Sequence, residues 1–201
     1  MNGVARIVLA SASPRRQELL RRIGLTNFTV RVPQVEETCP AGLAPEETVI
    51  YISREKSLAV ESAPDEIVIT ADTMVFLDDK RLGKPADAAE ALAMLRALQG
   101  RRHTVCTGVT VRQGARTLSR ARSTGVWFRH ADDEELCAYI AGGEPLDKAG
   151  AYGVQGQGAL LVERIDGDFF NVMGLPVELL SRMLADFGVV LLGNSDTVRG
   201  S

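Results

Sequence analysis

The chain has 201 residues, 45% hydrophobic and 24% charged, a balance that fits an ordinary globular protein and excludes a disordered, collagen-like or fibrous chain. Lys and Arg number 23 against 26 Asp and Glu, a net charge of −3, so no overall field draws the chain to DNA or RNA. Cys39, Cys106 and Cys137 form no C-x-x-C pair, the first apolar run is too short for a signal peptide, and no window approaches the ~18 apolar residues of a membrane span; together these place the protein in the cytoplasm.

Val4 to Ala10 reads as a buried strand, broken by Ser11-Ala12-Ser13-Pro14. Pro14 suits the first position of a helix and Ser13 its cap, which puts Arg15 and Arg16 in the first turn and directs Leu19, Leu20 and Ile23 to the core. Arginines sit badly against the positive end of a helix dipole. Two of them beside free N–H groups and two hydroxyls suit an anion site, and solvated surface arginines are the competing reading. A short strand over Phe28 to Val32 leads into a polar loop with Glu36 and Glu37.

The spacing then predicts a helix from Pro45 to Ala63. Val49, Ile52, Lys56, Ala59 and Ala63 share one face, which sets Lys56 on the apolar stripe. A lysine there either meets an anion or snorkels to the surface. Ile67 to Leu77 is a nearly continuous apolar strand with Asp72-Thr73 at its middle, and a carboxylate inside a buried strand needs a partner, so Asp72 is the leading candidate for a reacting or metal-binding group.

A turn at Asp78-Asp79-Lys80 is followed by Gly83-Lys84-Pro85, where glycine and proline fix the backbone that presents Lys84. Asp87 caps a helix with Glu90 three residues on, ending at Gly100. His103 to Arg112 and Leu118 to Arg129 read as two strands joined near Gln113-Gly114, and Asp132 to Ile140 as a short helix. His103 and His130, the only histidines, fall in no metal-ligand pattern and read as non-catalytic. Gly142 to Gly158 holds six glycines in seventeen residues; with Asp147, Lys148, Tyr152 and Gln155 it reads as a functional loop, with a flexible linker as the alternative. A strand over Ala159 to Asp166, a helix over Val177 to Phe187 and a fraying tail after Gly188 complete an α/β chain with a mixed sheet.

No P-loop and no G-x-G-x-x-G after a strand is present. What remains is a set of cations, Arg15, Arg16, Lys56, Lys84 and Lys148, with carboxylates Glu36, Glu37, Asp72 and Asp147. Without a Ser-His or Cys-His arrangement, these point to phosphate chemistry, where charge neutralisation and positioning carry most of the catalysis. The carboxylates suit a Mg²⁺-type ion.

The stretches LASASPRRQELL (Leu9 to Leu20), REKSLA (Arg54 to Ala59), ADTMV (Ala71 to Val75), GKP (Gly83 to Pro85), EPLDKAGAYGVQG (Glu144 to Gly156) and NVMGLP (Asn171 to Pro176) resemble, in order and spacing, the Maf family of nucleoside triphosphate pyrophosphatases. The resemblance implies an elongated mixed sheet flanked by helices, two lobes with a cleft between them, over residues 1 to 188, with residues 189 to 201 as a tail. It implies hydrolysis of a nucleoside triphosphate to the monophosphate and pyrophosphate with Mg²⁺ or Mn²⁺, and a homodimer fits it. By position, Asp72 matches the family's general base. Arg15, Lys56 and Lys84 match its phosphate contacts, Ser11 a hydroxyl near them, and Glu37, or else Glu36, an acidic site residue that with Asp72 is the metal candidate. Arg15, Thr73 and Gln155 match substrate-discriminating positions, and Arg16, Asp147 and Lys148 are secondary candidates.

AYGVQG with NVMGLP is similar to the dTTP/UTP branch, and the Gln155 amide, both donor and acceptor, suits the O4 and N3–H edge of uracil or thymine. The alternatives are a 7-methyl-GTP-type enzyme, a house-cleaning enzyme for modified pyrimidine nucleotides, and a non-enzymatic nucleotide-binding regulator of septum formation.

Overall fold

The computed structural model describes residues 6–192. Its strands are β1 (Arg6–Leu9), β2 (Phe28–Val30), β3 (Glu66–Leu77), β4 (Lys80–Leu82), β5 (Arg102–Gln113), β6 (Arg116–Phe128) and β7 (Val162–Asp166). The helices are α1 (Pro14–Arg22), α2 (Pro45–Leu58), α3 (Ala88–Leu98), α4 (Asp133–Ala141), α5 (Phe169–Met173) and α6 (Val177–Asp186). The seven strands form one sheet in the order β2-β1-β3-β5-β6-β7, with β4 on β3. It is mixed: β1 runs parallel to β2 and β3, while β4 pairs with β3, and β7 with β6, in antiparallel fashion. Among the described residues no helix is long and apolar enough to cross a membrane.

The chain divides into two compact units, each built from discontinuous segments. The first comprises the described residues up to Asp72, Thr107–Arg122 and the described residues from Gly174 on. Its interior holds β1 and the first half of β3, with Leu9, Ile67 and Ile69 essentially inaccessible, together with Leu19 and Leu20 of α1, Ile52 of α2 and Leu180 of α6. Alternation fails in β3 because its residues up to Asp72 are all buried, as a strand covered on both faces requires.

The packing of α2 sets the position of Lys56. Its buried row is Val49, Ile52, Ser53, Lys56 and Ser57, the i, i+3, i+4, i+7, i+8 pattern of a core-facing helix. Small residues on this row let the helix come close: a Cβ on Gly108 of β5 would stand 2.3 Å from the Val49 carbonyl oxygen. Ser53 Oγ and Thr110 Oγ1 share a hydrogen bond of 2.9 Å, Thr110 Oγ1 and Ser119 Oγ another of 2.9 Å, and Thr70 Oγ1 donates to the Ser53 carbonyl at 2.7 Å. The hydroxyls between helix and sheet are thereby satisfied.

The helix stops at Leu58, short of the expected Ala63, and Ala59 is exposed. Arg112 of β5 braces the helix end, donating to Ser57 O in the last turn at 2.8 Å and to Val60 O just past the helix at 2.7 Å. Pro64 also disfavours helix at Ala63.

The second unit, Thr73–Cys106 with Ser123–Met173, has its own core of Val75, Leu77, Leu95, Leu98, Val126, Phe128, Leu136, Tyr152 and neighbours. As expected, Asp87 caps α3, its carboxylate accepting from Glu90 N at 2.8 Å, and Asp132 caps α4 in the same way at 2.9 Å. β2 is shorter than expected at three residues, and Ala159 to Leu161 lies in a 3₁₀ segment instead of β7. Val4 and Ala5 of the expected first strand, and the tail from residue 193, lie outside the described residues.

Candidate active site

In the first unit, Lys56 Nζ lies 2.7 Å from Asp72 Oδ1 and 2.7 Å from Glu37 Oε1. The Lys56 and Asp72 side chains are 11% and 5% exposed and that of Glu37 57%, so one ammonium joins a buried carboxylate to an accessible one. Lys56 therefore meets an anion and does not snorkel, and the acidic residue on it is Glu37; Glu36 is exposed. The second carboxylate oxygen, Asp72 Oδ2, is buried with no hydrogen-bond partner. A buried oxygen without a partner is costly to the fold, which keeps Asp72 the candidate reacting group.

The two arginines of the first turn of α1 have parted company. Arg16 turns inward: Nε donates to Gly174 O at 2.8 Å, and Nη1 donates to Ala71 O at 2.7 Å and to Ser11 Oγ at 3.2 Å. Burial lowers its pKa, opposed by the attraction of Asp72 and Glu37, and Arg15 adds a further lowering. It holds the carbonyl just before Asp72 together with the Ser11 hydroxyl, so it braces the acid's backbone. Arg15 is the half-buried neighbour without those bonds. Ser13 occupies the helix-cap position, but its side chain makes no cap bond; its N–H donates instead to Ser11 Oγ at 3.2 Å.

Ser11, Arg16, Glu37, Lys56 and Asp72 thus form one connected group in this unit, with Arg15 on the same helical turn as Arg16. The other expected site residues belong to the second unit. Thr73 is half-buried, and Lys84 is exposed beside Gly83, whose carbonyl accepts from Gly150 N at 3.0 Å. Lys148 Nζ donates to Asp147 Oδ1 at 2.6 Å and to Glu144 O at 2.7 Å, tying those two secondary candidates to each other. Gln155 is exposed in a turn. His103 is buried against Phe128 and Tyr152, with Nε2 2.8 Å from the Tyr152 hydroxyl, and burial pushes its pKa down to about 4.

Sequence reasoning missed two carboxylates. Glu66 is buried and clasped by Arg31 Nη1 and Nη2 at 2.6 and 2.7 Å, and the Arg31 hydrogen bond lowers its pKa to about 2. Its place at the edge of an apolar run carried the only signal. Glu144, inside the glycine-rich loop, carries no local signal in spacing or apolar context that sets it apart from its neighbours.

Among the described residues no group of three His, Cys, Asp or Glu side chains gathers as a metal cage. The donor set that exists, a partnerless carboxylate oxygen on Asp72 and the accessible Glu37, suits an ion that takes one or two carboxylates and keeps waters and phosphate oxygens, the habit of Mg²⁺.

The family model for Maf-like proteins matches residues 6–187. Curated relatives include a protein of Exiguobacterium sibiricum named dTTP/UTP pyrophosphatase, 49% identical over 91% of this chain and 93% of that one. Another of the same name, from Moorella thermoacetica, is 48% identical over 94% of this chain and 99% of that one. Among solved structures, the Ham1 protein of Staphylococcus aureus aligns with a TM-score of 0.49 and 16% identity over 90% of this chain and 99% of that one. With this match along nearly its whole length, the chain belongs to the Maf-like protein family.

Proposed function

We propose that this protein is a nucleoside triphosphate pyrophosphatase that hydrolyses dTTP and UTP to the monophosphate and pyrophosphate. The carrying observation is the asymmetric carboxylate of Asp72: Oδ1 is fixed by Lys56 while Oδ2, buried in the same unit, has no partner. A base needs one oxygen held and one oxygen available. The names of relatives at 48–49% identity supply the substrate class.

In this reading Asp72 Oδ2 accepts a proton from the water that attacks the α-phosphorus in line, and Lys56, 2.7 Å from Oδ1, holds the acid aligned. Arg15 and Lys84 neutralise phosphate oxygens, and Ser11 offers its hydroxyl to one of them. Arg16 holds the Ala71 carbonyl, so that the backbone presenting Asp72 does not yield as charge develops. Thr73 and Gln155 contribute to substrate choice, Gln155 by pairing with the base edge. Asp72 and Glu37 would hold a divalent cation such as Mg²⁺ or Mn²⁺, which when bound supplies charge neutralisation on the phosphates.

The enzyme reading is favoured over a nucleotide-binding regulator because a regulator needs the cations and not a buried acid with an unsatisfied oxygen. A panel of canonical and modified nucleoside triphosphates with Mg²⁺, scored for pyrophosphate against orthophosphate, tests it. Pyrophosphate from dTTP and UTP is expected; orthophosphate, or no release from any member, refutes it.

A further inference from the structure

The glycine-rich loop of the second unit closes around one carboxylate. Glu144 Oε2 accepts from Gln157 N at 2.8 Å, and Oε1 accepts from the Tyr139 hydroxyl at 3.1 Å and from Gly158 N at 3.4 Å. The same Tyr139 oxygen accepts from Gly153 N at 3.1 Å. The turn that carries Gln155 is therefore pinned on both sides, before it at Gly153 through Tyr139 and after it at Gln157 and Gly158. The glycines are there to admit the acid and its neighbours. A Cβ on Gly156 would lie 2.2 Å from Glu144 Oε2, one on Gly153 2.7 Å from Lys148 Cε and 2.9 Å from Glu144 Oε1, and one on Gly158 2.6 Å from the Tyr139 hydroxyl. Lys148 completes the packing by donating to the Glu144 carbonyl. The loop's backbone N–H groups at Gln157 and Gly158 thus form a cradle fitted to an anion, and that anion is the protein's own.

We infer that Glu144 is the positioning residue of base selection: it fixes the Val154-Gln155 turn so that the Gln155 amide meets the pyrimidine edge in one orientation. The inference rests on the reading of Gln155 under the proposed function. An exposed amide on an unbraced glycine loop samples many directions and discriminates little, because ordering it on each binding event costs conformational entropy. A turn already ordered by Glu144 meets that cost during folding. Tyr139 is the second link in the same device, relaying the carboxylate to Gly153.

The test measures kcat and KM for dTTP, UTP and CTP in wild type, Glu144→Ala, Tyr139→Phe, Gln155→Ala and the Glu144→Ala/Gln155→Ala double variant, with thermal melting as a check on folding. For Glu144→Ala the preference for dTTP over CTP is expected to fall by up to about tenfold, no further than in Gln155→Ala, and mainly through KM, as misplacement of a positioning group does. Tyr139→Phe is expected to fall in the same direction by less, and it carries the test if Glu144→Ala does not fold. The double variant is expected to be no less selective than Gln155→Ala alone, since Glu144 acts through that side chain. Unchanged selectivity in folded Glu144→Ala, or additive losses in the double variant, overturns the inference and leaves the proposed function standing. A wild type that releases no pyrophosphate from dTTP or UTP overturns the proposed function and the inference with it.

Discussion

Lys56 Nζ and Asp72 Oδ1 stand 2.7 Å apart with both side chains nearly inaccessible, one on the core-facing row of α2 and the other at the middle of β3. Each would be a liability alone. Removing one partner of a buried pair leaves a charge without compensation and costs about 3–5 kcal/mol. Lys56→Met is expected to lose stability on this scale in urea denaturation, and Lys56→Met/Asp72→Asn to recover most of it. Equal losses in the two variants would mean that the pair is not coupled.

The approach of α2 to β5 at Gly108 makes a second prediction. With a Cβ 2.3 Å from the Val49 carbonyl oxygen, Gly108→Ala forces the helix off the sheet. Overpacking of this kind costs about 1–3 kcal/mol. Because Lys56 rides on the same helix, turnover is expected to fall as well; a variant with unchanged melting and unchanged kcat would show that the contact is slack.

Stability is expected to depend on pH through His103. Its folded-state pKa of about 4 lies below the ordinary 6.5, so between those values the unfolded chain binds a proton that the folded one does not. Stability is then fully present above pH 6.5 and declines as the pH falls toward 4, by up to about 3 kcal/mol. His103→Gln, which keeps a partner for the Tyr152 hydroxyl, is expected to flatten urea midpoints between pH 7.5 and 5. A slope as steep as wild type would assign the dependence elsewhere.

For Gln155→Ala, selectivity between dTTP, UTP and CTP is expected to relax by about tenfold while kcat on the best substrate changes less, since one hydrogen-bonded base contact is worth roughly 1–3 kcal/mol of discrimination. Steady-state kinetics with the three nucleotides measure it, and equal proportional losses on all three would remove Gln155 from base reading.

How much was legible depends on whether the signal was local. Pro14 and Asp87 mark helix starts within a few residues, and both helices begin there. Lys56 on an apolar row and Asp72 within an apolar strand were legible as anomalies, and their pairing follows because each needs what the other has. The inward turn of Arg16 was not legible, because it depends on the Gly174 carbonyl, 158 residues along the chain. Nor was the end of α2, which Arg112 sets from 55 residues away. The glycine loop was legible as a loop of chemical variety but not in its packing: glycine content reports either freedom or close approach, and only the position of Glu144 decides between them.

The account turns on attack at the α-phosphorus by water that Asp72 activates. Hydrolysis of dTTP in ¹⁸O-water, followed by mass spectrometry of the products, tests this most directly, with Asp72→Asn alongside. The label is expected in dTMP and not in pyrophosphate, with Asp72→Asn binding nucleotide nearly normally while turning over about 10²–10⁴-fold more slowly, the usual contribution of a general base. Label in pyrophosphate or orthophosphate, or an Asp72→Asn variant with the wild-type kcat, would contradict it.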